Sequence, residues 1–464
     1  MSADAALQQS PEPSAFYVAA AKIYPREVRG RYDRLRRAAV IVLLGLFYAV
    51  AWLKWNGHQA LLFDLPARKF YILGLTLWPQ DFPYLALLLI ICALSLFFFT
   101  ALAGRLWCGY ACPQTVWTEL FIWIEQWTEG KRYQRIKLDD GPWTANKIAR
   151  KTAKQVLWIA LAAYTGFTFV GYFIPIRSLG AQIVSLSLPP WGTFWVFLYS
   201  LATYGNAGFL REQVCKYMCP YARFQSAMFD KDTLIISYDA TRGEPRGARR
   251  RGSPARAQGL GDCIDCTMCV QACPTGIDIR KGLQYECIAC AACIDACDEV
   301  MDKMESPRGL IRYTTEHALR GNPQHILRPR LLLYACLLLA LCGAVVYSVA
   351  VRTPLLVDVL RDRNALYREV RGDRIENSYL LKIINEDSFP HRYRIEARGL
   401  DRLTLAEPSG DVEVDAGSVA TIPTRLQAPS ESAQGIHTIT LHIVAEDNPR
   451  YQVLEKTRFI GPHS

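Results

Sequence analysis

Cys263-Ile-Asp-Cys266-Thr-Met-Cys269-Val-Gln-Ala-Cys273-Pro274 is followed closely by Cys287-Ile-Ala-Cys290-Ala-Ala-Cys293-Ile-Asp-Ala-Cys297. Both runs have the spacing C-x2-C-x2-C-x3-C. Three close thiolates wrap one four-iron, four-sulfur cubane, and the fourth, carried away on a short helical turn, ligates the other cluster. The crossed assignment gives Cys263, Cys266, Cys269 and Cys297 to one cluster and Cys273, Cys287, Cys290 and Cys293 to the second. Zinc sites would need four ligands each and have no use for a doubled three-plus-one arrangement. Cys273 is followed by Pro274, whereas Cys297 is followed by Asp298, which is expected to lower the potential of the first cluster.

The cysteines around this insert are as informative as those in it. The 464-residue chain has 15 cysteines, and none lies beyond Cys342. Tight clustering of this kind excludes a disulfide framework and points to metal or redox chemistry in a reducing compartment. Outside the insert, Cys108-Gly-Tyr-Ala-Cys112-Pro113 and Cys215-Lys-Tyr-Met-Cys219-Pro220 repeat one pattern. Thiols four residues apart share a helix face, and the proline after the second disfavours helix there. Soft thiolates prefer Cu(I) to Cu(II), so four of them could promote copper reduction. Dithiol–disulfide cycling, a quinone pocket and plain packing of buried thiols are the other readings. Cys92, Cys336 and Cys342 stand singly in apolar runs and read as packing residues. His391, His437 and His442 could bind a metal but read first as strand-surface residues, and Trp107 and Trp117 read as interfacial anchors.

Just over half of the chain is hydrophobic. A bilayer core needs about 20 apolar residues in a helix. Five stretches qualify: 38–55, 84–103, 156–176, 191–210 and 331–351, the fourth diluted by Tyr, Thr, Gly and Asn. Lys and Arg crowd the segments before the first, between the second and third, and between the fourth and fifth. Arg68, Lys69 and Arg177 are the few in the opposite loops. The positive-inside rule then makes the N-terminus and the cysteine insert cytoplasmic and the C-terminal tail periplasmic. The formal charge of +10 is assigned to these flanks, against lipid, and not to a nucleic-acid partner. Some 37 polar and basic residues precede the first apolar run, unlike a cleavable signal.

The expected organisation is therefore a multidomain membrane protein, a five-span α-helical bundle with a cytoplasmic ferredoxin-like 2[4Fe–4S] insert and a C-terminal immunoglobulin-like β-sandwich. Its parts are a basic N-terminal segment 1–37, a four-span domain 38–240, a flexible basic linker 241–259, the ferredoxin-like domain 260–305, a fifth span 331–351 and a periplasmic β domain 370–464. The β domain is read from alternating segments such as YLLKIIN and HTITLHIVA, about seven short strands.

Trp107-Cys108-Gly109 through Cys112-Pro113-Gln114, the second motif continuing Tyr221-Ala222-Arg223-Phe224-Gln225, the doubled ferredoxin run and the β domain together resemble the cytochrome c oxidase accessory proteins called CcoG, FixG or RdxA. The resemblance covers nearly the whole chain. It implies a bacterial inner-membrane protein that reduces Cu(II) to Cu(I) for assembly of cbb-type oxidases. The implied roles are cluster ligation by the eight ferredoxin cysteines and copper handling by Cys108, Cys112, Cys215 and Cys219. A copper chaperone or transporter and the oxidase assembly machinery are the implied partners. The electron donor and homo-oligomerisation stay open. Two rivals remain: a quinol-linked membrane ferredoxin subunit, which would lack the large β domain, and a non-enzymatic copper-binding assembly factor.

Overall fold

The computed structural model describes residues 22–55, 57–251, 259–362, 365–387 and 389–462. The chain divides into two compact units, one of residues 1–45, 98–165 and 198–328, the other of residues 46–97, 166–197 and 329–464.

Among the described residues, three helices are long and apolar enough to cross a membrane: Phe82–Ala103, Ala145–Val170 and Pro329–Val351. The first and last match expected spans closely. The middle one starts eleven residues before the expected 156, because the basic turn holding Lys147, Lys151 and Lys154 is itself helical. The other two expected spans are helices of shorter apolar length. Arg31–Val50 begins with a charged turn and a half. Pro190–Thr203 is α-helical, and the glycine-diluted half that follows is a π-helix, Tyr204–Leu210. Cys92 and Cys336 are exposed on their helices, so the packing reading fails for them.

In the first unit, two antiparallel strands, Ile235–Tyr238 and Ile311–Thr314, close the ferredoxin-like insert. They lie outside the expected limits of 260–305, because neither carries a cysteine. Its two helices are Met268–Ala272 and Ala292–Lys303. The expected basic linker is partly fastened down. Arg242 donates to the carbonyl of Arg308 at 2.9 Å, and Arg249 to that of Gly261 at 2.6 Å. Residues 252–258 of that linker, and 1–21 of the N-terminal segment, lie outside the described residues.

The second unit contains a β-sandwich. One sheet orders Thr404–Glu407, Val419–Pro429, Arg374–Asn385 and Leu355–Arg361, with Arg368–Val370 also on Arg374–Asn385. The other orders Val412–Val414, His391–Arg398, Ile436–Ala445 and Gln452–Ile460. These nine strands exceed the seven expected, and the first starts at Leu355, close behind the helix ending at Val351. Alternation puts Leu381, Ile383, Leu426, Ile439, Leu441 and Phe459 wholly inside. Each fully buried side chain of this size contributes about 1.5–3 kcal/mol against the entropy of ordering the chain. His391 is not a strand-surface residue. It is buried between Asp387 and Asp447. His437 lies toward solvent, whereas the His442 side chain is only 16 % exposed, with Nε2 on Gln452. The segment between the first two helices, expected to be a loop, carries five short strands: the pair Lys54–Trp55 and His58–Gln59, then the antiparallel sheet Leu61–Asp64, Lys69–Ile72 and Leu75–Leu77.

Candidate electron-transfer and thiol site

The two ferredoxin loops have the same backbone. Asp265 and Thr267 flank Cys266 with φ of 53° and 57°, and Ala289 and Ala291 flank Cys290 with φ of 55° and 61°. Left-handed conformations at four non-glycine positions cost of order 1–2 kcal/mol each. Alternating αR and αL residues turn successive N–H groups into one concavity, the form that receives anionic sulfur.

The cysteines sort into two cavities. Cys263, Cys266, Cys269 and Cys297 line one, with Tyr238, Arg280 and Met301. Cys273, Cys287, Cys290 and Cys293 line the other, which Cys269 also borders. The fourth cysteine of each run thus faces the cavity of the other run. Burial pushes Cys269 and Cys287 up to about 11 and Cys290 and Cys297 up to about 12. Thiolates there require a metal to hold them ionised. Cations stand ready at both cavities. Arg280 acts on Cys269, and Arg36 donates to the Cys290 carbonyl at 2.6 Å. The donor set, its crossed grouping and the two matched loops fit two four-iron clusters.

Arg36 belongs to the helix Arg31–Val50, so part of the basic N-terminal flank is used in packing and not in lipid contact. The Asp295 carboxylate accepts the N–H of Asp33 at 2.7 Å and that of Tyr32 at 3.2 Å, capping that helix from a position two residues past Cys293. Gly30 sits against Asp295 so closely that a Cβ would lie 2.2 Å from its carboxylate.

The two CysxxxCysPro motifs also share one local structure, and it corrects the single-helix reading. Cys108 lies on the short helix Leu106–Tyr110, which ends before Cys112. Cys112 is extended, φ −61° and ψ 130°, and caps the next helix, Pro113–Glu129. Likewise the π-turn Val214–Met218 carries Cys215, and the extended Cys219 caps the helix Pro220–Met228. The proline excludes α-helix at the residue before it and then opens a new helix at its own first position.

The four thiols come together. In each of the six pairs among Cys108, Cys112, Cys215 and Cys219, the charge on one sulfur is felt at the other. Burial and the neighbouring sulfurs push Cys108 up to about 11 and Cys215 up to about 12. Two glutamines exchange places to hold them. Gln114, two residues past Cys112, donates to the carbonyls of Asn206 at 2.9 Å and Arg211 at 3.0 Å, which border the π-helix ahead of Cys215. Gln225, six past Cys219, accepts the Cys108 S–H at 3.4 Å and donates to the Gly104 carbonyl at 3.3 Å. Trp117 is partly buried against the cluster of Phe121, Trp158, Ala162 and Ala207, and its N–H reaches Thr165, so it does not stand free as an interfacial anchor would. Trp107 is 47 % exposed.

The thiol group adjoins the second cavity. Arg105 donates to the carbonyls of Tyr285 and Cys287 on one side and of Ala222 at 2.8 Å on the other. A Cβ on Gly109 would lie 2.8 Å from the Ile288 carbonyl oxygen, so only glycine permits this approach. Cys108 packs against the group containing Ile288 and Cys290. Beside both, a further cavity is lined by Arg36, Gln114, Glu119, Cys215 and Cys290. Among the described residues, no three or more His, Cys, Asp or Glu close to the distance of a single metal ion.

Three family models match. A 4Fe-4S dicluster domain covers residues 210–316, and a 4Fe-4S binding domain covers 85–132. The third, an IG-like fold at the C-terminus of FixG, covers 345–462. The nitrogen fixation protein FixG of Rhizobium meliloti is 38% identical over 78% of this chain and 76% of its own. The chain belongs to the FixG/RdxA family. Protein RdxB of Cereibacter sphaeroides is 38% identical over 89% of this chain and 88% of its own, and RdxA of the same organism 37% over 91% and 93%. As a member of this family with three apolar helices, it is a membrane iron–sulfur protein with a redox role.

Gly109, Arg105, Arg36 and Asp295 escaped the sequence reading. Gly109 and the two glutamines stand inside the quoted motifs, and their position there was the one available signal.

Proposed function

We propose that the protein reduces Cu(II) to Cu(I) for assembly of a cbb-type cytochrome oxidase, with the four membrane-edge thiols as the place where the electron leaves. The observation that carries this reading is the juncture at Arg105 and Gly109, which joins the loop of Cys287 and Cys290 to the thiol group. When bound, the clusters supply one-electron transfer over a range of several hundred millivolts. The eight ferredoxin cysteines hold them. Cys108, Cys112, Cys215 and Cys219 offer sulfur, which favours Cu(I) and so draws the reaction Cu(II) + e⁻ → Cu(I) forward. Gln225 keeps the Cys108 S–H in place, and Gln114 fixes the turn ahead of Cys215. Arg105 sets positive charge beside Cys108 and Cys215.

The bias of Lys and Arg supports an inner-membrane chain with a cytoplasmic ferredoxin unit and a periplasmic β domain. Copper would pass as Cu(I) to a chaperone or transporter. A second reading, a quinol-linked electron-transfer subunit, draws on the cavity that both Cys215 and Cys290 line. An anaerobic assay separates the two. With NADPH and a ferredoxin reductase as electron supply and a Cu(I)-specific chelator as reporter, the purified protein should turn over Cu(II) catalytically. Substituting Cys108 and Cys112 should stop turnover and leave the ferredoxin clusters visible by EPR. Stoichiometric reduction alone, or variants of undiminished activity, would sink the copper reading.

A further inference from the structure

The 4Fe-4S binding model over residues 85–132 poses a problem of ligands. That stretch contains Cys92, Cys108 and Cys112. Cys92 is exposed on the surface of the apolar helix Phe82–Ala103. Two usable thiols remain, and an all-cysteine four-iron cluster takes four. The fold supplies the other two from outside the matched stretch. The two motifs approach each other: Gln225, six residues past Cys219, accepts the Cys108 S–H at 3.4 Å, and Gln114, two past Cys112, donates to the Arg211 carbonyl, four residues before Cys215, at 3.0 Å.

We propose that Cys108, Cys112, Cys215 and Cys219 hold a third [4Fe–4S] cluster, two ligands from each CysxxxCysPro motif. Three further observations support it. First, Cys112 stands at the N-cap of the 17-residue helix Pro113–Glu129. N–H donors and a helix N-terminus stabilise anionic sulfur and tune a cluster. Second, all four thiols are half-buried, as are Cys273, Cys287 and Cys293 of the ferredoxin pair. Third, the site continues the line of the other two. Cys108 packs against the group of Ile288 and Cys290, and the Arg105 guanidinium lies between the Cys287 carbonyl and this site. The proposed function is needed for the role of this cluster and not for its existence, and the cluster would take the place of direct copper–thiolate ligation by these four sulfurs: the electron would leave from it, and copper would be a substrate arriving at its edge.

The test is the metal content of the full-length protein, purified in detergent without oxygen. The expected result is about twelve irons and twelve sulfides per chain, where two cubanes account for about eight. Cys215→Ser and, separately, Cys108→Ala should each bring iron to about eight, with the EPR signals of the ferredoxin pair unchanged. Cys92→Ser should keep about twelve and serves as the control for folding. Eight irons in the unsubstituted protein, with or without one copper per chain, would overturn the proposal. So would ten irons with the Mössbauer signature of a two-iron cluster. The copper assay fails separately: twelve irons without Cu(II) turnover keep the cluster and remove the reductase, and eight irons with turnover do the reverse.

Discussion

Two groups of cysteines in this chain reach the same kind of arrangement by opposite routes. The ferredoxin ligands lie within 35 residues, from Cys263 to Cys297, and their spacing alone dictates the grouping. The thiols of the two Cys-Pro motifs are drawn from positions more than 100 residues apart, and only tertiary structure unites them. In the first group the local backbone does the work: paired left-handed residues at 265, 267, 289 and 291 shape both loops. In the second the work falls to side chains reaching across, Gln114 toward the second motif and Gln225 toward the first. The ferredoxin site should therefore be damaged mainly by loss of a ligand. The thiol site should be vulnerable at residues that carry no sulfur.

The largest effect is expected from Cys297→Ser. It removes a ligand of the first cavity and a member of the ferredoxin core. Iron should fall by about four atoms and the insert should become protease-sensitive, since metal binding and folding are coupled at such sites. Next comes Arg105→Met. It leaves buried carbonyls of Cys287 and Ala222 without a donor, at about 1–3 kcal/mol each. Thermal unfolding should drop accordingly, while the ferredoxin pair keeps its iron. Gly109→Ala drives a methyl against the Ile288 carbonyl, an overpacking worth about 1–3 kcal/mol. It should slow Cu(II) turnover more than it lowers stability, because it parts the thiol site from the second cavity. Gln225→Leu should be the mildest, about 1 kcal/mol for its hydrogen bonds. Its readout is faster alkylation of Cys108 in metal-free protein.

The same contrast explains what the sequence could convey. Ligand spacing and β alternation are local, so the crossed grouping and most of the sandwich were legible. Leu355–Arg361 was not, because it runs on almost directly from an apolar helix. The repeated Cys-Pro motif was visible as a repeat, but a repeat does not say that its copies touch. Hydropathy treated the basic residues as membrane flanks, whereas Arg36 binds the Cys290 carbonyl and Arg135 is buried against Glu125. Charge counting has no means of separating a packed arginine from a solvated one. The π-helix Tyr204–Leu210 registered only as a weak span, although it presents the carbonyl that Gln114 binds.

The most direct measurement is a single turnover. Protein reduced without oxygen and freed of excess reductant is mixed with Cu(II) in a stopped-flow instrument, and reoxidation of the ferredoxin clusters is followed by absorbance. Exit through the thiol site predicts rapid reoxidation in the unsubstituted protein and at least about tenfold slower reoxidation in Cys108→Ser and Cys215→Ser, a barrier raised by about 1.4 kcal/mol. Equal rates in all three, with the ferredoxin pair intact by EPR, would contradict the account.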